Sequence, residues 1–237
     1  MRAPRFFLAS FCMLLAFTPI HAGSEGGAIA GVVTFKGMPP KPKLLDLSKE
    51  PACVKLHSAD PLLDETIVIG PGGGLANVVV YISAGGAEPS AAEAQTVNFD
   101  QQGCHYTTHV VALRTGQEIN FSNSDPISHN IHPMAKVNRE WNRIQPPGTP
   151  PFSYSYEKEE FIPVKCNLHP WMQGYFAVLK TSHFAVTGEN GIFHLPDLPP
   201  GNYTVTAWHE SLGTLSQEIK VSSGQTASIY FAFSTKF

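Results

Sequence analysis

The stretch "CNLHPWM", from Cys166 to Met172, gathers three side chains that can bind a soft metal ion. Cys166, His169 and Met172 offer a thiolate, an imidazole and a thioether, and Pro170 stiffens the backbone beside the histidine. Because strand-like runs precede and follow the stretch, we expect the three ligands to share one tight loop between two strands. Thiolate and thioether favour copper(I), and imidazole suits both oxidation states of copper.

A loop this short cannot surround an ion alone, so a further ligand must come from a distant segment. The upstream stretch "SNSDPISHNIH" offers two candidates, His129 and His132. Either one would complete a set of two imidazoles, one thiolate and one weak thioether. That set is typical of a blue-copper site.

The cysteine count adds a second reason to expect a metal at Cys166. Of four cysteines, Cys12 lies in an apolar N-terminal run, and Cys53, Cys104 and Cys166 remain. In an oxidising compartment two of these usually pair, and the third needs a reason to stay free. Metal ligation is one such reason. The alternative pairs Cys166 with Cys53 or Cys104 and leaves its neighbours as ordinary packing residues.

Residues 1–22 have the layout of a secretory signal peptide. Arg2 and Arg5 precede an apolar run over residues 6–17, and Ala22 supplies a small residue at the end. The run is too short to span a bilayer comfortably. We expect export to the periplasm or secretion, with an uncleaved anchor as the alternative and no transmembrane segment in the mature chain.

Composition favours an all-β fold and excludes some partners. The formal charge of −3 becomes −5 when the signal peptide removes Arg2 and Arg5 and no acid. A mildly acidic protein is a poor candidate for binding nucleic acid or an anionic membrane surface. Twenty glycines, 20 prolines and only 15% charged residues, with few helix-period patterns, favour strands and turns.

Strand-like runs are frequent along the chain. "GAIAGVVTFKG" and "NVVVYI" come first, and from Thr96 onward the runs follow closely, as in a sandwich or barrel. The connection from Met134 to Pro151 is long for a compact domain. We expect it to be a surface excursion packed by Trp141.

The two ligand segments resemble those of the cupredoxins, the family of plastocyanin and amicyanin. "CNLHPWM" has the Cys-x2-His-x2-Met spacing of the short amicyanin loop, and "NSDPISHNIH" resembles the stretch that carries the family's first ligand histidine, followed by asparagine. The resemblance covers about residues 95–180 and implies a Greek-key sandwich or barrel. It also implies one type 1 copper ion held by His129, Cys166, His169 and Met172.

The same resemblance implies roles for the neighbours of the ligands. Asn130 would tie the two ligand loops together near the thiolate, and His132 would point elsewhere. His169 would lie nearest to solvent as the exit for electrons. Pro170 and Trp171 would form a small docking patch beside it.

The flanking segments resemble a different family, the carboxypeptidase regulatory-like β-sandwich. The block "ENGIFHLPDLPPGNYTV" carries this likeness, with Asn190 where aspartate is common. We expect residues 23–94 and 181–237 to form one small sandwich, with the cupredoxin domain of residues 95–180 inserted between its second and third strands. The alternatives are one continuous sandwich or tandem domains. The composite resembles exported methylamine utilisation or plastocyanin-like proteins, although nothing in the sequence indicates an amine site.

With Cys166 assigned to the metal, Cys53 and Cys104 form the expected disulfide. The alternative is a second metal site, because "CVKLH" and "CHYTTH" also contain histidines. Its candidate ligands are Cys53, His57, Cys104, His105 and His109. Export favours the disulfide.

These features predict an exported electron carrier that exchanges electrons with redox partner proteins, whose identity the sequence does not reveal. Four protein ligands leave no open position for a substrate, so we do not expect an enzyme. One alternative is a periplasmic copper-binding or delivery protein. Another is an interaction module in which copper is incidental.

Overall fold

The computed structural model describes residues 26–86 and 95–235. The predicted signal peptide, residues 1–22, lies outside the described residues. The described part of the chain is built almost entirely of strands, which confirms the prediction of an all-β fold.

The strands are short and connected mostly by turns. The regular elements are β1 (Gly27–Phe35), α1 (Pro51–Leu56), a 3-10 turn (Pro71–Gly73), β2 (Val79–Ala84), β3 (Val97–Gln102), β4 (His105–Tyr106), β5 (Val110–Arg114), β6 (Glu118–Asn123), β7 (His129–Pro133), β8 (Arg143–Gln145), β9 (Phe152–Ser155), β10 (Glu160–Lys165), β11 (Gln173–Leu179), β12 (Phe184–Val186), β13 (Ile192–Leu198), β14 (Gly201–His209), β15 (Gly213–Val221) and β16 (Thr226–Phe233).

Two sheets are made from strands at either end of the described chain. Their strand orders are β13-β1-β16 and β12-β2-β14-β15. Along β14 the side chains alternate, so that Tyr203 and Val205 both lie in the apolar core between the sheets. The Tyr203 hydroxyl donates to the backbone oxygen of Pro199 at 2.6 Å, which fastens the "LPPG" turn to this core.

Two further sheets are made from the strands between residues 97 and 179. Their orders are β5-β11-β10-β7-β8 and β4-β3-β6-β9. Aromatic rings fill the core between them, with Phe99, Phe121 and Phe176 in mutual contact. Trp141, in the long connection after β7, packs edge-on against Phe121 and covers the end of this core, as predicted.

The strands of residues 97–179 pair with one another, and the strands on either side of them pair with one another. The two pairs of sheets meet at a separate apolar cluster in which Trp208 stacks on Phe161 at 4.3 Å between ring centroids. The domain boundaries at residues 94/95 and 180/181 stay predictions. In the part of the chain that the structure describes, no helix has the length and apolarity needed to cross a bilayer.

The irregular segment between β1 and β2 lies against the second pair of sheets. We call residues 44–66 the cap. The cap contains helix α1 and is joined to the turn after β3 by a disulfide between Cys53 and Cys104. Leu47 and both cysteines are buried together, with Ile127 and Trp171 packed against them. The cap is therefore held on the surface where the predicted ligand loops lie.

Candidate metal centre

The loop between β10 and β11 carries Cys166, His169 and Met172, as predicted. Two backbone hydrogen bonds close it, because the Cys166 amide donates to the Met172 oxygen at 3.0 Å and the Met172 amide donates to the His169 oxygen at 2.9 Å. Immediately outside the loop, Lys165 and Gln173 are paired across the two strands. The loop is therefore a closed turn that holds three side chains in a fixed relation.

His129 begins strand β7, so its predicted position on a loop is wrong. β7 runs antiparallel to β10, and His132 is paired with Lys165 at the very end of β10. The residues of β7 that precede His132 therefore run alongside the ligand loop and bring His129 to Cys166. The polar segment "HNIHP" gives little sign of a strand, but pairing with β8 on its other side satisfies its backbone groups.

Three of the predicted ligands converge in the interior. The ligand atoms of His129, Cys166 and His169 all lie within 4.8 Å of one another, and all three residues are buried. The two Nδ1 atoms are 2.9 Å apart, and the Cys166 sulfur is 3.7 Å from the Nδ1 of His169. Among the residues that the structure describes, these form a group of histidine and cysteine donors close enough to share one ion.

Met172 lies in the same apolar cluster as Cys166 and is also buried. Its backbone contacts to Cys166 and His169 place its Cα at the closing end of the ligand loop. The residue is therefore positioned by the same turn as the other two loop ligands. A thioether in this buried setting is a weak, neutral donor, which suits the long axial position of a blue-copper site.

Asn130 connects the strand of His129 to the ligand loop. Its side-chain oxygen accepts the backbone N–H groups of Asn167 at 2.6 Å and Leu168 at 3.3 Å. Its own backbone N–H points at the Cys166 sulfur, 3.4 Å away. A hydrogen bond to a thiolate stabilises its charge. By contrast, His132 turns away from the centre and bonds to Asn167 and Glu140 at the surface.

The donor set and its spacing fit a metal ion. Bonds of about 2.0 Å from nitrogen and about 2.3 Å from sulfur put donors on one ion at separations of about 3.3–3.8 Å. The 3.7 Å between the Cys166 sulfur and the His169 Nδ1 lies in this range, whereas the two Nδ1 atoms, 2.9 Å apart, are at hydrogen-bond distance and would move apart slightly around an ion. Burial lowers the pKa of both His129 and His169. A lowered pKa favours the neutral form of each ring, which has a lone pair to donate.

Asp125 approaches the centre from the side opposite the ligand loop. Its Oδ2 lies 2.7 Å from the Nε2 of His129, and its carboxylate also accepts the amides of Gly103 at 2.7 Å and Cys104 at 2.8 Å. Both of these amides belong to the two-residue turn between β3 and β4. Gly103 and Cys104 each have positive φ, 69° and 58°, as a type I′ hairpin turn requires.

The cap covers the remaining ligand ring. His169 is only 4% exposed, and Glu50, the residue that precedes α1, places its Oε2 3.8 Å from the His169 Nε2. Trp171 packs beside His169 at 5.1 Å between ring centroids and donates its indole N–H to the Cys104 backbone oxygen.

His169 was predicted to lie nearest to solvent, and its relative exposure agrees, although the cap covers it. His169 is the most exposed of the four predicted ligands, but the cap leaves almost none of it at the surface. The neighbours Leu168 and Pro170 are exposed, whereas Trp171 is half-buried beneath the cap. A docking patch at this end would thus consist of loop residues next to the ligand and not of the ligand itself.

The alternative of a second metal site is excluded by the disulfide. Cys53 and Cys104 are bonded to each other. Both ring nitrogens of His57 lie close to backbone oxygens, 3.0 Å from that of Asp60 and 2.7 Å from that of Gly103. The remaining candidates also have other neighbours, because the Nδ1 of His105 lies near the Gly103 oxygen and His109 is bonded to Glu210.

His109 instead joins three parts of the chain. Its Nε2 is hydrogen-bonded to Glu210, in the turn after β14, and its Nδ1 lies 3.9 Å from Glu65 in the cap. Burial acts to lower the pKa of His109, but the hydrogen bond and the charges of Glu210, Glu65 and Asp64 outweigh it and raise that pKa. His109 is therefore a structural ion-pair residue at the junction of the sheets.

One family model matches the C-terminal part of the chain. The family model of the carboxypeptidase regulatory-like domain matches residues 177–234, which confirms the predicted resemblance for that segment. No curated protein matches the chain.

Several solved structures are similar over part of the chain. A copper(I) form of an amicyanin variant has 19% identity and a TM-score of 0.32, covering 42% of this chain and 97% of that one. A purple cupredoxin from Nitrosopumilus maritimus has 18% identity and a TM-score of 0.30, with 35% and 98% covered. The copper-containing nitrite reductase from Thermus scotoductus SA-01 has 18% identity and a TM-score of 0.33, and the match covers 39% of this chain and 25% of the reductase. A likeness this weak says nothing about the site.

Two residues of the site were not found from the sequence. Asp125 lies four residues before His129 in "SNSDPISH", and Glu50 lies in an irregular segment far upstream. An Asp-Pro pair is typical only of a turn. Since Glu50 reaches the centre through the disulfide and the cap, its position depends on tertiary packing that no local pattern reveals.

Proposed function

We propose that this protein binds one type 1 copper ion through His129, Cys166, His169 and Met172 and serves as an exported one-electron carrier. The observation that carries the proposal is the convergence of two buried imidazoles and a free buried cysteine. A copper ion bound there would supply a one-electron couple between its two oxidation states. The chain's part is to hold the donors still, so that little rearrangement accompanies the change of charge.

Several contacts of the chain perform that holding task. The ligand loop is closed by its own backbone hydrogen bonds, and Asn130 fixes it to the strand of His129. Asp125 and the cap hold the outer edges of the two imidazole rings. A ligand set that is bound from every side favours electron transfer over processes that need a ligand to leave.

The same enclosure distinguishes electron transfer from copper delivery. Delivery requires that an acceptor protein reach the ion and replace its ligands one by one. Here all four proposed ligands are buried, and a disulfide-bonded cap covers the most exposed one. An electron can leave through exposed loop residues such as Leu168 without opening the site. We also propose that the protein is not an enzyme, because the four donors leave no free position for a substrate.

The proposed function includes export, and the disulfide between Cys53 and Cys104 supports export. Structural disulfides persist in oxidising compartments, where two of the chain's cysteines can pair while the third is occupied by metal. We therefore place the protein in the periplasm or outside the cell, with redox proteins as its partners. Sequencing the amino terminus of the exported form would check the cleavage after Ala22.

The decisive test is the spectrum of the copper protein. Copper(II) added to the purified protein should bind at one ion per chain and give an intense blue absorption with narrow parallel hyperfine splitting in electron paramagnetic resonance. Cys166→Ser should abolish the colour, because the thiolate is its source. His132→Asn is the matched control, since His132 lies on the same strand as His129 but faces the surface, and it should keep the full spectrum. A pale tetragonal spectrum in the wild-type protein would contradict the proposal.

A second measurement separates the carrier from the delivery protein. The carrier should be reduced and reoxidised reversibly with copper retained, and the bound ion should resist a chelator for hours. Rapid loss of copper(I) to a chelator, together with slow electron exchange, would favour delivery. If the variants that lose copper behave as the wild type in every cellular assay, the interaction module becomes the better description.

A further inference from the structure

We infer that Asp125 and Glu50 are positioning residues of this centre, each supporting one ligand imidazole at its Nε2 so that its Nδ1 faces the ion. The inference rests on the copper site proposed above and extends it to two residues outside the ligand set. It also gives the disulfide-bonded cap a role at the metal, because Glu50 belongs to the cap.

The first support is the contact between Asp125 and His129. The carboxylate oxygen is 2.7 Å from Nε2, and both residues are buried. A carboxylate only accepts hydrogen bonds, so the Nε2 of His129 must carry the proton and donate it. The Nδ1 of the same ring then carries the lone pair, 2.9 Å from the Nδ1 of His169 and on the side where Cys166 lies.

Asp125 can act as a support because it is itself immobilised. The amides of Gly103 and Cys104 donate to its two oxygens, and its own backbone N–H donates to the side chain of Asn123. Since Cys104 is also half of the disulfide, the turn that presents these amides is covalently tied to the cap. The carboxylate is therefore fixed in place before any metal binds.

The second support comes from the cap. Glu50 lies 3.8 Å from the Nε2 of His169, and its other oxygen accepts the Ala52 amide at the start of α1. This contact is longer than a hydrogen bond, and Glu50 keeps a third of its side chain exposed. Its negative charge lies beside the Nε2 edge of the ring, and its hydrogen bond from Ala52 fixes where α1 begins, three residues before Cys53.

The two supports should differ in strength. Partners that hold a ligand histidine typically change metal affinity about 10–100-fold when they are removed. Asp125 makes a short, buried contact, so Asp125→Asn should weaken copper(II) binding within that range. Glu50→Gln should weaken it less, because water screens a partly exposed carboxylate. A negative charge beside the ligand favours copper(II) over copper(I), so both substitutions should raise the reduction potential.

The first experiment needs no copper. Long-range proton–nitrogen NMR of the metal-free wild-type protein reports which ring nitrogen of His129 carries the proton. We expect the Nε2–H tautomer in wild type and a mixture of tautomers in Asp125→Asn. The Nδ1–H tautomer in the wild-type protein would overturn the inference, whether or not copper binds.

The second experiment compares the copper(II) dissociation constant and the reduction potential of wild type, Asp125→Asn and Glu50→Gln. Asp100→Asn is the matched control. Asp100 accepts hydrogen bonds from Ser122 and Ser124 in a neighbouring strand region and is not among the contacts of the ligands. It should leave both quantities unchanged.

The outcomes separate the two proposals. Absence of blue copper in the wild type would refute the electron carrier, and the tautomer of His129 would still decide the role of Asp125. A blue wild type in which both carboxylate variants keep the wild-type potential and affinity would refute the positioning role alone. Should Asp125→Asn fail to fold, the tautomer measurement and Glu50→Gln remain to decide the matter.

Discussion

The side-chain oxygen of Asn130 accepts the backbone N–H of Asn167 at 2.6 Å, so the residue beside one proposed ligand holds the loop that carries the other three. The same side chain donates to Asn142 at 2.7 Å, in the connection before β8. One buried amide thus joins three segments that are distant in the chain.

Replacing Asn130 by alanine should destabilise the metal-free protein by about 1–3 kcal/mol, because the backbone donors of the ligand loop lose their buried acceptor. Urea unfolding of the metal-free protein measures this loss. Asn98→Ala is the control because Asn98 is exposed. Among the residues that the structure describes, its side chain makes only one long contact, accepting from Asn120 at 3.4 Å. Equal stabilities for the two variants would show that Asn130 does not hold the loop.

Removing the disulfide should lower the free energy of unfolding by about 3–4 kcal/mol, because the bond closes a loop between residues 51 positions apart. The double variant Cys53→Ala, Cys104→Ala tests this by denaturant unfolding. Wild-type protein treated with a reductant should behave like the double variant. If neither loses stability, the cap is held by its apolar contacts alone.

The stability of the protein should fall on the alkaline side because of His109. Its pKa is raised in the folded state by Glu210, Glu65 and Asp64. The folded protein therefore holds this proton more tightly than the unfolded chain. The contribution is full below the ordinary pKa of 6.5 and is lost as the pH rises through the folded value. His109→Gln should flatten the fall above pH 6.5 in unfolding measurements on the metal-free protein, and an unchanged slope would contradict this assignment.

His209 should lower the stability of the protein on the acid side. Burial, with a smaller contribution from nearby His109, lowers the pKa of His209 to about 4, and its Nε2 has no hydrogen-bond partner among the described residues. The neutral ring is favoured in the folded state, so stability is full above pH 6.5 and is lost as the pH falls towards 4. His209→Gln should reduce this acid loss in the metal-free protein. His183→Gln, at a half-buried position, should not.

Much of the proposed centre could be predicted from local sequence because its donors are local. Cys166, His169 and Met172 sit on one loop whose spacing is visible in seven residues, and His129 is followed by an asparagine that makes the expected contacts. The strands were equally visible where they alternate apolar and polar residues, as β14 does. These features can be predicted because they depend on residues that are close in sequence and also close in space.

The features of the site that the sequence does not reveal depend on contacts between segments that are far apart in the chain. Nothing around Glu50 indicates that it faces His169, because the disulfide and the cap bring it there from more than 100 positions away. For the same reason the sequence does not reveal that the cap covers His169. His129 was placed on a loop because its strand has no apolar alternation, and the strand is formed only by pairing with β8 and β10.

Strand β1 lies between β13 and β16, and Ala28 is paired with Thr226 in parallel register. The ribosome therefore makes the first strand long before either of its sheet neighbours. Strands β3 to β11 find all their partners within residues 97–179 and can assemble while β1 is still unpaired. Pulse-labelling with limited proteolysis should accordingly detect a protected central fragment before the outer sandwich closes, since contacts between residues far apart in the chain form slowly.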